Sequence, residues 1–158
     1  MILVMELFPH SLWKFLETNN IGLKERLEMA IKLTKELKIA HDGAVAHRDL
    51  KPTNIMVDSK NEFVLVDFGI AYHVHNLKGS CGTPGFNAPE QFSGEKHEKL
   101  VDIFSLRKNL ILILFEWKTG WQLLWSAKEW IQFQKMEQKL TPLSHLLKLI
   151  CRMLQVNL

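Results

Sequence analysis

Three polar side chains whose types suit phosphate and cation binding lie close together in the sequence. Asp49, Lys51 and Asn54 fall within one six-residue span, and a second carboxylate, Asp67, follows thirteen residues after Asn54. Carboxylate and amide oxygens are hard ligands of the kind that divalent metals prefer, and a lysine adds a fixed positive charge. Phosphoryl transfer depends mostly on positioning and charge neutralisation. The combination therefore favours a phosphoryl-transfer site, provided that the fold brings Asp67 to the other three residues.

Two elements flank the segment that carries Asp49 and would have to position it. Apolar residues at helical spacing predict a long amphipathic helix from Leu23 to near His41, with Gly43 just beyond as a stop signal. Ile55–Val57 and 63–66 are strand-like and are separated by a polar turn, which predicts a hairpin. Asp67 directly follows the second strand, so the hairpin returns the chain towards Asp49.

The remaining pattern is mostly helical. An apolar run at 2–4 is strand-like, Ser11 is a plausible N-cap of a short helix, and 69–85 is rich in Gly and polar residues and predicts a loop. Further helices are predicted at 100–117, 125–136 and 143–154. We therefore expect a mainly α fold with a small β-hairpin.

Composition excludes several classes of function. A net charge of +3 is too mild to indicate a nucleic-acid partner or a membrane surface. The longest apolar stretch, Leu110–Phe115, is far shorter than the roughly 20 residues of a membrane span. Two cysteines, Cys81 and Cys151, favour reduced thiols in an intracellular protein, which we expect in the cytoplasm; a disulfide between them is the alternative.

Three motifs in a fixed order carry a resemblance to a known family. They are His47-Arg48-Asp49-Leu50-Lys51-Pro52-Thr53-Asn54, Asp67-Phe68-Gly69 and Ala88-Pro89-Glu90. They resemble the catalytic loop, the Asp-Phe-Gly motif and the Ala-Pro-Glu motif of protein kinases. The chain is similar over residues 1–158 to the C-terminal lobe of a eukaryotic-type Ser/Thr protein kinase, from the hinge to the penultimate helix of that lobe. The N-terminal lobe would be supplied by upstream sequence.

The resemblance implies roles for the motif residues. Asp49 would accept or orient the proton of the substrate hydroxyl, and Lys51 would steady the transferred phosphate. Asn54 and Asp67 would bind Mg²⁺. Lys51 together with Thr83 resembles the pattern of kinases that act on Ser and Thr rather than on Tyr.

The resemblance also implies a site for ATP and a set of supporting residues. Met5 would be the gatekeeper, and the backbone of Glu6 and Phe8 would meet the adenine ring. The implied nucleotide-binding residues are Met5, Glu6, Phe8, Met56 and Asp67. Phe68 and Gly69 complete the second motif. Asp102 would brace the backbone of His47 and Arg48. In relatives the glutamate at the position of Glu90 pairs with an arginine that follows later in the chain, so Glu90 is expected to be unpaired here.

The segment after Asp67 departs from the family pattern. An arginine before the catalytic aspartate, here Arg48, is typical of kinases that are switched by a phosphate on this segment. The usual phosphate position aligns with Gly79, and a basic residue that helps to bind the phosphate aligns with Tyr72. We therefore expect conventional loop phosphorylation to be weakened or absent, with Ser80 as the fallback site.

Two hypotheses about function remain open from the sequence. No glycine-rich phosphate loop occurs in it, and the Val-Ala-Ile-Lys-like run 29–32 lies inside the predicted helix, so Lys32 is interpreted as a solvated residue. The first hypothesis is an enzyme that uses ATP and Mg²⁺ to phosphorylate Ser and Thr of protein substrates. The second is a catalytically silent, pseudokinase-like module that binds partners through its helical face. For this chain in isolation, weak nucleotide binding and little turnover are expected.

Overall fold

The computed structural model describes residues 6–73, 79–93 and 99–114. Their helices are α1 (Leu12–Thr18), α2 (Leu23–Asp42) and α3 (Leu100–Leu114). Their strands are β1 (His10–Ser11), β2 (Val45–Ala46), β3 (Ile55–Val57), β4 (Phe63–Leu65) and β5 (Tyr72–His73). Two short 3₁₀ turns lie at Phe68–Ile70 and Pro89–Phe92. Helices thus dominate the regular structure, beside small antiparallel sheets.

Helix α2 confirms the helix predicted from the apolar spacing. Its buried side chains are Arg26, Met29, Ala30, Leu33, Thr34 and Leu37, at the spacing of one helix face. The last turn closes when the Gly43 N–H donates to the Ile39 carbonyl at 3.1 Å. Each buried aliphatic side chain of this face stabilises the fold by about 1.5–3 kcal/mol relative to full exposure.

Helix α3 packs against α2 and is buried along nearly its whole length. Leu106, Leu110 and Ile113 join the side chains of α2 in one hydrophobic core. A buried arginine of α2, Arg26, links the two helices, since its guanidinium donates to the carbonyls of Ile21 at 2.8 Å and Ile113 at 2.6 Å. Within the parts that the structure describes, no helix is both long enough and apolar enough to cross a bilayer.

The predicted hairpin is present and carries a third strand. β3 pairs antiparallel with β4, with Met56 opposite Val64, and β1 adds to the other edge of β3 with Ser11 opposite Met56. Ile55 and Val57 are buried in the core, whereas Met56 is half-buried because alternate side chains of a strand face opposite sides. Ser11 also caps α1, as predicted, by accepting the Lys14 N–H at 3.3 Å.

The segment predicted to be a loop between 69 and 85 contains regular structure that the sequence pattern did not reveal. β5 pairs with β2, with Ala46 opposite Tyr72, and the turn at Phe68–Ile70 precedes it. A two-residue strand has no periodicity to detect, so only the partner strand defines it. The apolar run at 2–4, the end of the helix predicted at 100–117, and the helices predicted at 125–136 and 143–154 lie outside the described residues.

Lys32 lies in α2, as predicted, but it is not simply solvated. Its Nζ pairs with Glu62 Oε1 at 2.6 Å and donates to the Asn61 carbonyl at 3.0 Å, which ties α2 to the hairpin turn. Glu36, one turn further along α2, is half-buried next to the same turn. Burial and the negative charge of Glu62 raise the pKa of Glu36 above its ordinary value.

This raised pKa predicts that the Glu36→Gln variant is slightly more stable than the native protein at neutral pH. A raised carboxyl pKa means that the folded state disfavours the charged form, so stability falls as the pH rises through that pKa. We expect Tm to increase by about 1–2 °C at pH 7, because the group is partly exposed and screened. The gain should vanish as the pH falls below the ordinary value of 4.5.

Thermal unfolding of the two proteins across this pH range measures the effect. Glu28→Gln, at an exposed position of the same helix, is the matched control and should show no such pH-dependent gain. An equal gain in both variants, or a Glu36→Gln gain that persists in acid, would contradict the assignment.

Candidate active site

One buried carboxylate fixes the start of the segment that carries Asp49. Asp102, in the first turn of α3, is fully buried, and its Oδ1 accepts the Arg48 N–H at 2.7 Å. Its Oδ2 accepts the His47 N–H at 2.8 Å and lies 2.9 Å from Nε2 of His41, at the end of α2. A buried carboxylate is tolerated only when it is well hydrogen-bonded. Asp102 therefore holds both helices and this segment in one arrangement.

The imidazole of His47 connects this segment to the strand that leads to Asp67. Its Nε2 lies 2.9 Å from the Val66 carbonyl, which can only accept, so Nε2 carries the proton. Its Nδ1 then accepts the Asp49 N–H at 3.3 Å. The ring also packs on Phe68, with centroids 4.7 Å apart. His47 thus orients Asp49 and positions the start of the Asp67-Phe68-Gly69 motif.

Two residues of the site hold a backbone conformation that non-glycine residues rarely adopt. Arg48 has φ 69° and Asp67 has φ 63°. This left-handed region costs an L-residue about 1–2 kcal/mol, and such residues cluster at functional sites. The hydrogen bonds that Asp102 and His47 make with the backbone around Arg48 offset this cost.

Asp49, Lys51 and Thr83 form a closed triangle of hydrogen bonds. Lys51 Nζ donates to Asp49 Oδ2 and to Thr83 Oγ1, both at 2.8 Å. Thr83 Oγ1 in turn donates to Asp49 Oδ1 at 2.6 Å. Asp49 is buried and Lys51 is half-buried, so little water competes for these bonds. A residue 34 positions away in the chain therefore helps to orient the carboxylate.

Asn54 lies between the two carboxylates that the sequence singled out. Its Nδ2 donates to the Asp49 backbone carbonyl at 3.1 Å, and it approaches Asp49 Oδ2 at 3.3 Å and Asp67 Oδ2 at 3.4 Å. Asn54 is buried, whereas Asp67 is exposed. The predicted convergence of Asp49, Asn54 and Asp67 is therefore present in the structure.

The chemistry of this donor set fits Mg²⁺. The bond from Nδ2 to the Asp49 carbonyl orients the Asn54 amide, whose Oδ1 is a hard oxygen donor of the same kind as the Asp67 carboxylate oxygens. Within the described residues there is no cluster of three or more His, Cys, Asp or Glu that could cage a metal. Mg²⁺ commonly uses only one or two protein ligands and takes the rest from water and phosphate.

The residues expected to meet the adenine ring are only partly placed. Met5 lies outside the described residues. Glu6 is exposed and Phe8 is half-buried, just before β1, and Met56 is half-buried on β3. In the described part of the chain, no hydrogen bond joins Glu6, Phe8 or Met56 to Asp67. Their nucleotide contacts stay a prediction.

The guanidinium of Arg48 holds the segment that follows Asp67 through backbone carbonyls. It donates to Ile70 O at 3.4 Å and to Gly79 O at 3.2 Å. Gly79 is the position where the family pattern usually carries a phosphate, and Ser80, beside it, is exposed. Tyr72, in place of the expected basic residue, is exposed on β5. Arg48 therefore already bridges the two ends of this segment through neutral acceptors.

Glu90 and the neighbours of Asp67 lie at the surface. Phe68 and Gly69 are exposed, and Phe68 retains its contact with the His47 ring. The Glu90 side chain is also exposed and makes no ion pair with the residues that the structure describes.

Three buried polar side chains that the sequence reasoning missed also support the site. Asn109 Nδ2 donates to the Leu50 carbonyl at 3.1 Å, Ser105 Oγ donates to the Phe86 carbonyl at 2.8 Å, and Gln91 Nε2 donates to the Arg48 carbonyl at 2.9 Å. The sequence did indicate a role for Asn109, because an amide inside an apolar helical run must be hydrogen-bonded when it is buried. It gave no such indication for Gln91, since nothing in its local pattern shows that it is buried.

Comparison with known proteins agrees with this geometry. The family model described as the protein kinase domain matches residues 1–157. The chain belongs to the protein kinase domain family. The resemblance drawn from the three motifs is thereby confirmed at the level of the family.

This kinase domain is similar to several known protein kinases. It is 34% identical over 103 residues to an SNF1-related protein kinase catalytic subunit alpha, KIN12, of Arabidopsis thaliana, covering 63% of this chain and 20% of the relative. It is 32% identical over 101 residues to an Aurora kinase of Patiria pectinifera, covering 61% and 25%. It is 31% identical over 105 residues to a dual serine/threonine and tyrosine protein kinase of Takifugu rubripes, covering 66% and 11%. The chain thus spans a quarter or less of the length of each of these relatives.

The contacts of Asp102 predict that Asp102→Asn destabilises this kinase domain strongly. An amide has one acceptor oxygen in place of two. Its buried NH₂ group would face either the Arg48 N–H, or the His47 N–H beside His41. We expect the free energy of unfolding to fall by about 2–4 kcal/mol, measured by urea unfolding. The control is Asp42→Asn, which loses only an exposed pair with Lys38 and should change stability by less than about 0.5 kcal/mol. Equal effects of the two substitutions would contradict the role of Asp102.

Proposed function

We propose that this chain is the C-terminal lobe of a protein Ser/Thr kinase, spanning residues 1–158, and that the protein transfers the γ-phosphate of ATP to Ser and Thr hydroxyls of protein substrates. One observation carries the proposal. A single buried carboxylate, Asp49, contacts both Lys51 and Thr83, and Asn54 links it to a second carboxylate, Asp67. Membership of the kinase family and the similarity to Ser/Thr kinases support it.

Asp49 would orient the attacking hydroxyl and receive its proton. Its carboxylate has about four acceptor positions, of which Lys51, Thr83 and Asn54 use one each. A substrate Ser or Thr hydroxyl can therefore donate to a remaining lone pair. Because these fixed donors hold the carboxylate, it needs little reorganisation when the hydroxyl arrives, which is the main source of catalysis by positioning.

Lys51 would place a positive charge beside the transferred phosphoryl group. Its ammonium has three N–H donors, and two of them are directed to Asp49 and Thr83. The third can reach a phosphate oxygen while the others keep the side chain in place. Thr83 accepts a hydrogen bond from Lys51 and donates one to Asp49. It therefore couples the position of the Asp49 carboxylate to that of the Lys51 ammonium.

Asn54 Oδ1 and the Asp67 carboxylate would hold Mg²⁺. When bound, Mg²⁺ neutralises phosphate charge during the transfer. Met5, Glu6, Phe8 and Met56 would line the adenine side of the nucleotide site. We place the protein inside the cell, where ATP is available, with protein substrates as its partners.

The Asp49→Asn variant tests the enzymatic proposal. In the full-length protein with ATP and Mg²⁺, we expect transfer of radiolabelled phosphate to a Ser/Thr peptide library to fall at least about 100-fold, the scale of a lost general base. Affinity for ATP should stay within about threefold, because Asn54 and Asp67 are unchanged. The control variant is Asp42→Asn, whose carboxylate is exposed on α2, and it should keep wild-type activity.

Either of two results would reject the enzymatic proposal. One is phosphate transfer that persists in Asp49→Asn. The other is a folded full-length protein that transfers no phosphate, which would favour the silent interaction module instead.

The Arg48 contacts predict that activity does not require a phosphate on the segment after Asp67. Ser80→Ala should retain at least about half of the wild-type activity, because Gly79 O and Ile70 O already hold the Arg48 guanidinium in place. Arg48→Lys should lose more, since one ammonium cannot reproduce the two-armed geometry of a guanidinium. Activity assays combined with phosphopeptide mapping measure both effects. A stoichiometric Ser80 phosphate that raises activity would refute this prediction.

A further inference from the structure

The 3₁₀ turn Pro89–Phe92 carries a fully buried amide that reaches the catalytic loop. Gln91 Nε2 donates to the Arg48 carbonyl at 2.9 Å, and its second N–H lies towards Cys81 Sγ, at 3.9 Å. Gln91 Oε1 accepts the Ala88 N–H at 3.0 Å. Both N–H groups of this side chain and one lone pair of its Oε1 therefore face defined partners.

These contacts allow only one orientation of the Gln91 amide. Turned by 180°, Oε1 would face the Arg48 carbonyl oxygen and Nε2 would face the Ala88 N–H, which sets acceptor against acceptor and donor against donor. An unsatisfied buried polar pair of this kind is strongly unfavourable. The Gln91 NH₂ group therefore donates to the Arg48 carbonyl, and Gln91 Oε1 accepts the Ala88 N–H of its own loop.

The bond from Gln91 completes the support of one peptide unit. The C=O of Arg48 and the N–H of Asp49 belong to the same planar group. Gln91 holds its oxygen, and His47 Nδ1 accepts its N–H at 3.3 Å. The unit lies outside the helices and strands of the structure, and Arg48 has a positive φ, so no ladder of backbone hydrogen bonds holds it. Side chains from two different parts of the chain fix its plane, and that plane sets the direction in which the Asp49 side chain leaves the backbone.

The loop that carries Thr83 passes over the same carbonyl. A Cβ placed on Gly82 would lie 2.7 Å from Arg48 O, and Gly82 itself has φ 93°, so only glycine fits there. The Arg48 carbonyl is therefore a point where the catalytic loop meets both ends of the loop from Gly82 to Gln91.

We propose that Gln91 is a positioning residue that couples the loop 82–91 to the orientation of Asp49. It touches neither substrate nor phosphate. It acts through the Arg48–Asp49 peptide unit. By fixing that unit, it keeps the Asp49 carboxylate hydrogen-bonded to the Thr83 hydroxyl when a substrate binds. The kinetic consequence rests on the proposed kinase function; the structural coupling does not.

Two measurements on the native protein test the coupling without any assay of activity. A scalar coupling across the hydrogen bond between Gln91 Nε2 and the Arg48 carbonyl carbon should be detectable by NMR. The Gln91 side-chain N–H groups should exchange slowly with solvent. Fast exchange together with no coupling would overturn the proposal, whether or not the protein is an active kinase.

Variants of Gln91 then test the effect on catalysis. Gln91→Met removes both hydrogen bonds and keeps a similar side-chain volume. Gln91→Glu keeps an acceptor for the Ala88 N–H but places a carboxylate oxygen against the Arg48 carbonyl oxygen. We expect kcat in the full-length protein to fall about 10- to 100-fold in each, the scale of a small misplacement of reacting groups. KM for ATP should stay within about threefold, because Asn54 and Asp67 are untouched. The control is Ser93→Ala, which alters the same turn at an exposed hydroxyl and should leave kcat near that of the wild type.

A pH comparison separates positioning from a general loss of structure. Burial raises the pKa of a carboxyl, so lowering the pH from about 8 to about 6 should protonate the one introduced by Gln91→Glu. The protonated group can again donate to Arg48 O, and kcat relative to the wild type should recover at least several-fold. Gln91→Met should show no such recovery.

The outcomes separate the two proposals. Folded Gln91 variants with wild-type kcat would overturn the role of Gln91, as would equal pH dependence in Gln91→Glu and Gln91→Met. Hydrogen exchange in α2 reports whether each variant is folded, and if neither folds, the two native-state NMR measurements decide. A wild-type protein without phosphate transfer would reject the proposed function and leave the coupling to be judged by NMR alone.

Discussion

The whole site depends on the buried carboxylate of Asp102. It is inaccessible to water, and it accepts two consecutive backbone N–H groups, of His47 and Arg48, beside the imidazole of His41. Without these donors the buried charge would be strongly destabilising. The need to satisfy it therefore holds α2, α3 and the segment that carries Asp49 together. The positive φ of Arg48 is tolerated because this requirement over-determines the backbone around it.

From this anchor, polar contacts extend outwards through residues that lie outside the α-helices and β-strands. His47 reaches Val66, Gln91 reaches Arg48, and Thr83 reaches Asp49. Each contact joins distant parts of the chain, and together they place a carboxylate, an ammonium and an amide within hydrogen-bonding distance. The result resembles a set of groups that is pre-organised for phosphoryl transfer, because little movement is needed before a hydroxyl or a phosphate can be bound.

Much of the site could be predicted, and the missing parts share a physical cause. The residues Asp49, Asn54 and Asp67 converge as expected, because a hairpin necessarily returns the chain to its starting point. The pairing of β2 with β5 and the burial of Gln91 were missed. Both depend on contacts between segments far apart in sequence, which leave no periodic signal in either segment.

The sequence by itself determined the family, through three ordered motifs, and the local elements α1, α2 and the β3–β4 hairpin, because caps, turns and apolar spacing act over a few residues. Only the tertiary structure decided which groups meet Asp49, which carbonyls the Arg48 guanidinium contacts, and that Gln91 holds the carbonyl of the Arg48–Asp49 peptide unit. Hydrogen bonds are short and directional. Partners distant in the chain meet only after the helices have packed.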